Sequence, residues 1–311
     1  MDKPKVVDFF AGCGGFGFGF AEGGFEITHA VEAFRTSLET YVANVPLGDY
    51  VLGDVRNVDT AALGKPDVVI GGPPCEAFTV ANADRRGNPL DRLYKDPVGS
   101  LTLQYAKLVK ALQPRVFVME NVPPIMDGPL ESELRLIFSR QGYPQIHFNR
   151  IQAEHCGTPS HRDRVFISNL KIDPPRATSF VSVREAIDDL ESLESDIPNH
   201  APPRLGKKQL AKVQALEEGQ SGYHYRAAGG RVHSAWTRLD PDRLAPTVKG
   251  LGRFVHYEQD RLLTPREHAR LMGYPDDFVF HGSINETYNM VGESVPPPLS
   301  SAIAAEVRRQ L

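Results

Sequence analysis

The chain has 311 residues, is 41% hydrophobic and 24% charged, and carries a formal net charge of -4. These values suit a soluble globular protein with one large domain and a smaller one, and the mild acidity excludes a globally cationic nucleic-acid binder. No apolar run approaches the ~20 residues of a membrane helix, and the N-terminal residues enter a strand with no room for a signal peptide. The 3 cysteines, Cys13, Cys75 and Cys156, include no CxxC pair, which argues against a disulfide framework and a zinc site and predicts a reducing cytoplasm and no metal.

Lys5 to Phe10 reads as a buried strand that runs into Ala11-Gly12-Cys13-Gly14-Gly15-Phe16-Gly17. Gly12, Gly14 and Gly17 have the spacing of a strand-to-helix turn that lets backbone approach a ligand. A second strand over Glu26 to Val31 ends in Glu32, about 20 residues further on, where a carboxylate can accept from both hydroxyls of an adenosine ribose. Alone, the glycine pattern also fits a plain turn; with Glu32 it points to a nucleoside cofactor. A helical stretch over Phe34 to Asn44 and a short strand around Tyr50 to Leu52 follow, then Asp54, a turn residue that sheet order could bring to the same ligand.

Val68 to Gly71 is a β-branched run stopped by Gly72-Pro73-Pro74-Cys75. Gly-Gly ends the strand and Pro-Pro stiffens its exit, so Cys75 is presented just past a strand end, where open α/β sheets place their chemistry. A small buried thiol is the competing reading. Val80 to Gly99 is polar and irregular, and a structureless loop of roughly 20 residues beside a candidate nucleophile predicts a lid. Leu101 to Leu112 has helical spacing and stops before Pro114. Arg115 to Met119 is the next buried strand, ending in Glu120-Asn121 before a second Pro-Pro. Neighbouring strand ends share a crevice, so Glu120 is expected to face Cys75 and to be partly desolvated, which favours its protonated form.

Glu131 to Arg140 reads as an amphipathic helix and Ile146 to Gln152 as a strand. After a turn over His155 to Pro159, His161 to Ile167 alternates as a strand, with Arg162 and Arg164 expected on one face. Past Lys171 the composition shifts. Ser182-Val183-Arg184-Glu185 is a capping box, and His200 to Arg253 carries ten cations and four anions. Tyr223, Tyr225 and Trp236 interleave with them, which suits a loop-rich nucleic-acid surface, the alternative being a solvated insertion. Thr264-Pro265-Arg266-Glu267 starts a helix with Pro at its first position, and Leu299 to Leu311 reads as the last helix.

Six blocks in order resemble the C5-cytosine DNA methyltransferase family: Asp8 to Gly15, Gly72 to Cys75, Glu120 to Val122, Arg162 to Phe166, Leu263 to Glu267 and Gly292 to Val295. The resemblance implies an α/β, doubly wound Rossmann-like fold with a smaller, loop-rich target-recognition domain. The expected divisions are 1–171 for the catalytic and cofactor-binding domain, 172–258 for target recognition, and 259–311 for the return to the catalytic domain. It implies S-adenosylmethionine as cofactor, contacted by Asp8, Phe10, Ala11, Gly12, Gly14, Gly15, Glu32, Asp54, Pro73, Glu293 and Ser294. Phe10 would stack on the adenine, Asp54 would accept from its amino group and Asp8 would stiffen the glycine loop. Cys75 would add to C6 of a flipped-out cytosine, Glu120 would donate to N3, Arg164 would bind O2 and hold Glu120, and Arg162 would support the site electrostatically. Arg85, Arg86, Arg92, Arg226, Arg231 and Arg253 are the expected DNA contacts.

The resemblance further implies a monomer acting on double-stranded DNA in the cytoplasm, away from membranes, with a cognate restriction endonuclease as a separate partner. The chain departs from the family pattern at Ser160 and Glu76, where glutamine is usual, and at Glu293, where asparagine is usual. The rival readings are a tRNA cytosine-C5 methyltransferase with the same catalytic set, an NAD-dependent oxidoreductase resting on the glycines and Glu32 alone, and an inactive DNA-binding module.

Overall fold

In the computed structural model the described residues are 2–82, 84–190, 196–226 and 232–311, and the side chains of 223–226 and 232–235 lie outside the description. The chain forms two compact units, Met1–Gln152 with Asp163–Pro175 and Ser300–Leu311, and Ala153–Arg162 with Arg176–Leu299. The chain leaves the first unit after Pro175 and re-enters it at Ser300. A helix over Pro265–Leu271 sits against one over Val183–Ile187, and Arg270 ties them by donating to the Ala186 carbonyl and to Asp189.

The first unit is built on strands β1 (Lys5–Phe9), β2 (Glu26–Glu32), β3 (Leu47–Leu52), β4 (Val68–Gly71), β5 (Val116–Asn121), β6 (His147–Gln152) and β7 (Asp163–Ser168). Among the described residues they form one sheet in the order β3-β2-β1-β4-β5-β7-β6. The pairs from β3 to β5 are parallel, and β7 runs antiparallel to both β5 and β6. β4 and β5 are buried at every position, as strands covered on both faces must be, and hence read as unbroken apolar runs.

On one face Val7, Phe9, Val69, Phe117 and Met119 join a core with helices α4 (Leu101–Leu112) and α5 (Leu130–Ser139). Phe117 stacks on Phe138 of α5 with centroids 4.5 Å apart. On the other, Phe16 of α1 (Gly15–Glu22) meets Phe166 of β7 edge-on, and the Ser300 hydroxyl donates to the Phe16 carbonyl at 2.5 Å. Helix α2 (Arg35–Asn44) follows β2. The sheet order reverses between β1 and β4, the crossover position at which doubly wound folds bind ligands outside the carboxyl ends of their strands.

The loop expected over Val80 to Gly99 contains a helix, α3 (Pro89–Tyr94), started by Asn88, whose side chain accepts from the Leu90 N–H, with Pro89 in the first turn. The second unit is likewise more ordered than its glycine and proline content suggests. It holds α6 (Val183–Ile187), α7 (Lys207–Gln214), α8 (Pro265–Leu271) and α9 (Ile284–Glu293). A small sheet runs β10 (Arg253–Val255), β9 (Val232–Arg238), β8 (Ser221–Arg226). Trp236, Val213, Val255 and Leu262 form its core. Helix α9 has a capping box on Ser283 and Glu286 that sequence reading passed over. Helix α10 (Pro297–Gln310) carries the chain into the first unit. Among the described residues, no helix is long and apolar enough to cross a membrane.

Candidate active site

Cys75 leaves the end of β4 on a turn that the neighbouring strand holds in place. The Asn121 side-chain amide, at the end of β5, donates to the Pro73 carbonyl at 3.1 Å, and its oxygen accepts from the Val122 N–H. The Cys75 carbonyl accepts from the N–H groups of Phe78 and Thr79, both at 2.9 Å, which closes the chain into a turn just after the thiol. The thiol itself is half-buried.

Glu120 is buried beside this turn, and a Cβ at Gly72 would lie 3.3 Å from its Oε2. Arg164 comes from β7, the antiparallel neighbour of β5, and its Nε stands 2.8 Å from Glu120 Oε1. Because β7 runs the other way, its first residues meet the last residues of β5. The ends of β4, β5 and β7 thus bring together a thiol turn, a carboxylate and a guanidinium. Glu120 is desolvated as expected, yet it stands in an ion pair with a nearly buried arginine.

Arg162 does not pair with Arg164 on one strand face. Strand β7 begins at Asp163, and Arg162 belongs to the second unit. There its guanidinium, 2% exposed, donates to the carbonyls of Val248 (3.2 Å), Gly292 (3.0 Å) and Ser294 (2.6 Å). It is a clamp on backbone within its own unit. Ser160, the departure two residues earlier, is also structural: its buried hydroxyl donates to the Leu271 carbonyl at 2.7 Å.

The glycine turn after β1 has the shape of a ligand cradle. Gly12 has φ +55°, and a Cβ there would meet nothing within 4 Å. The Gly12 N–H donates to Glu32 Oε2 at 2.8 Å and the Phe34 N–H to Oε1 at 2.9 Å, so backbone fixes the Glu32 carboxylate from two sides. Ala11 donates to Val31 and accepts from Gly14, which shapes the turn before Gly15 opens α1. Phe10 adopts φ +54°, a rare backbone for an aromatic residue, costing of order 1–3 kcal/mol and of the kind found at ligand clamps.

Asp8 lies buried beneath, accepting from the Tyr41 hydroxyl at 3.1 Å. Burial raises its carboxyl to about 7; the Tyr41 hydrogen bond opposes the rise and the Glu32 charge adds to it. Asp54 is taken up by Arg56, which donates to both of its oxygens and holds its carboxyl down to about 2. Phe34, which sequence reading used only as a helix start, is 72% exposed two residues beyond Glu32. In the second unit Glu293 is exposed at the end of α9, and the Ser294 hydroxyl donates to the Val291 carbonyl.

The arginines expected at DNA have varied environments. Arg92 is buried, and its guanidinium donates to Asp127 and to the carbonyls of Arg86 and Gly87. Arg85 donates to Asp127 and the Phe78 carbonyl. These bonds fold the segment after Cys75 onto the unit, in place of a structureless lid. Arg86 is partly exposed, with its Nε 3.9 Å from Asp96. Arg253 donates to the carbonyls of Gly250 and Gly252 and covers the Tyr288 ring at 3.8 Å. The Arg226 side chain and Arg231 lie outside the described residues.

Six sequence blocks along the chain, with three of them meeting at the Cys75 turn, agree with a comparison against protein families: the model for the C-5 cytosine-specific DNA methylase family matches residues 4–309. The chain belongs to that family. This C5-cytosine DNA methyltransferase is 44% identical to a candidate type II methyltransferase of Methanocaldococcus jannaschii, over 99% of this chain and 100% of that one. It is 33% identical to the type II methyltransferase M1.HphI of Haemophilus parahaemolyticus, over 97% and 86%. Among solved structures, a candidate DNA modification methyltransferase encoded within an E. coli prophage matches with a TM-score of 0.75 at 24% identity, over 99% of both chains. The S. pombe Dnmt2 methyltransferase matches with a TM-score of 0.67 at 14% identity, also over 99% of both. At these identities the two structures bear on the fold alone, and they agree with a Rossmann-like methyltransferase sheet.

Proposed function

We propose that this methyltransferase acts on C5 of a cytosine turned out of duplex DNA, within a short specific sequence, with Cys75 bonded to C6 during transfer and S-adenosylmethionine as methyl donor. The observation that carries the proposal is the Glu120–Arg164 ion pair at 2.8 Å beside the Asn121-braced Cys75 turn. C5 of cytosine is a weak nucleophile until a thiolate adds to C6 and converts the ring to an enamine. Addition puts negative charge on N3 and O2. Glu120 in its protonated form donates to N3, and Arg164 holds Glu120 in place and bonds O2. When transfer is complete, the C5 proton leaves to water, the C6–S bond breaks and the thiolate departs with its electron pair. C6 is shielded inside a stacked duplex, so the base must leave the helix.

The residues of the first unit suit the cofactor. The open volume at Gly12, the braced Glu32 carboxylate with lone pairs left for ribose hydroxyls, and the aromatic faces of Phe10 and Phe34 fit a nucleoside. When bound, S-adenosylmethionine supplies a methyl group made electrophilic by its sulfonium. Asp54, already bonded to Arg56, reaches an adenine amino group only by sharing its acceptors. The type II names of the relatives support a cognate restriction endonuclease that acts separately on the same sequence.

Bisulfite sequencing of duplex DNA treated with the purified protein and S-adenosylmethionine tests the reading. The expected result is protected cytosines in one short motif and none with Cys75→Ser. Methylation confined to tRNA, or turnover by Cys75→Ser, overturns it.

A further inference from the structure

Within the first unit, the chain on both sides of Cys75 is held by one stretch, Glu120 to Asp127. Before the thiol the tie is the Asn121 amide on the Pro73 carbonyl. After it the tie is Arg85, whose Nη1 donates to the Phe78 carbonyl at 3.0 Å and to Asp127 Oδ2 at 3.3 Å. Phe78 is itself bonded to the thiol residue, its N–H donating to the Cys75 carbonyl at 2.9 Å. Its side chain is fully buried in the core, so this peptide is fixed from below as well.

The anchor is rigid. Pro123 and Pro124 open a 3₁₀ turn over Pro123–Met126, Ile125 is buried within it, and the Asp127 N–H donates to the Pro124 carbonyl at 3.1 Å. Asp127 Oδ2 also accepts from Nη1 of the buried Arg92 at 3.0 Å, so one carboxylate serves two guanidiniums. Arg92 bonds the Arg86 and Gly87 carbonyls as well and is the less movable of the two. Without Asp127 the two cations repel at one point, and Arg85, the more exposed, is free to turn to water and release Phe78. Hydrogen bonds to an ionised acceptor are roughly twice as strong as neutral ones, so Asp127 sets where Arg85 points.

We infer that Arg85 and Asp127 are positioning residues for the Cys75 nucleophile, and that Arg85 acts through the Phe78 carbonyl and not through a DNA phosphate. The inference rests on the proposed addition of Cys75 to cytosine C6. Glu120 begins the stretch that ends in Asp127, so one segment sets both the acid and the thiol turn. It thereby fixes the spacing between the group that adds to C6 and the group that donates to N3. A misplacement of about 1 Å between reacting groups costs of order 100-fold in rate. A phosphate contact calls for donors turned to solvent. The Arg85 side chain is only 19% exposed, and its Nη1 is already shared between a carbonyl and a carboxylate.

A duplex with 5-fluorocytosine at the target of the motif found by bisulfite sequencing reads the addition directly. The Cys75 sulfur bonds C6 and C5 takes the methyl group from the sulfonium, which is left as a neutral thioether. With fluorine at C5 no proton remains to be lost, so the C6–S bond persists and the adduct is counted on a denaturing gel. At saturating duplex and S-adenosylmethionine, Arg85→Met and Asp127→Ala should each form adduct about tenfold or more slowly. The double variant should stay within about threefold of the slower single one, because all three lose the same tie. Duplex affinity measured against salt should keep the wild-type slope in each. Asp127 is 44% exposed, so its truncation leaves the core closed and reads the rate even where Arg85→Met does not fold. A salt slope reduced by about 0.9 in Arg85→Met marks a phosphate contact and overturns the inference. Wild-type adduct rates in Asp127→Ala, or losses that multiply in the double variant, overturn it too, while wild-type adduct leaves the proposed function standing. Wild-type protein that forms no adduct overturns both.

Discussion

Arg162 and Arg164 are two residues apart and do different work. Arg164 meets one carboxylate, Glu120; Arg162 meets three carbonyls and is almost fully buried. Both uses exploit the planar fork of donors that lysine lacks. A buried acid sits at Asp8. Its carboxyl, raised to about 7 by burial, keeps a proton in the folded state that the unfolded chain releases near its ordinary value of ~3.9. The folded state therefore binds more protons between those values, and stability falls as pH rises through them toward 7. Asp8→Asn removes this dependence. Melting temperature measured from pH 5 to 8 should drop less steeply in the variant than in the wild type; equal slopes would mean that Asp8 is not held neutral.

At the scale of elements, close backbone approach decides what α9 tolerates. Its backbone meets the Lys249–Gly252 turn at Gly292, where a Cβ would fall 2.1 Å from the Gly250 nitrogen and 2.3 Å from the Lys249 carbonyl carbon. Neither atom belongs to a flexible side chain, so Gly292→Ala must displace the turn or the helix. The expected cost is about 1–3 kcal/mol, the usual range for overpacking, seen as an earlier urea midpoint in Trp236 fluorescence. Gly53→Ala, with nothing within 4 Å of its Cβ, should change stability by less than about 0.5 kcal/mol, as surface changes do. Elements that sequence reading missed had local signals. Asn88-Pro89 starts α3 and the Ser283–Glu286 capping box starts α9. Both were overlooked because their surroundings are polar, and polarity masked the caps.

Over the whole molecule, the two units are expected to respond to acid in opposite directions. His256 and His268 of the second unit are buried and held down to about 4, in each case chiefly by burial, with the Arg261 charge adding at His256. The unfolded chain takes up these protons near ~6.5, so their stabilising effect is present above that value and is lost as pH falls toward 4. Trp236, the 1 tryptophan of the sequence, lies in the core of that unit. Urea midpoints read from Trp236 should therefore decline from pH 7 to 5, and His268→Phe should lessen the decline; a flat wild-type profile would contradict the assignment. Asp8 in the first unit favours the opposite direction. The first unit's strands and the residues after them were legible in the chain, because parallel strands buried on both faces read as apolar runs and their ends are marked by Gly, Pro and acid. The sequence by itself therefore determined the thiol turn, the Glu120 strand end and the Glu32 cradle. Only the tertiary structure decided which arginines turn inward: Arg92, Arg162, Arg238 and Arg253 bond carbonyls or carboxylates inside their own units. A cation looks alike in the sequence whether its partner is a phosphate or a carbonyl 130 residues away, and irregular backbone, which cannot satisfy its own carbonyls, is where such partners gather.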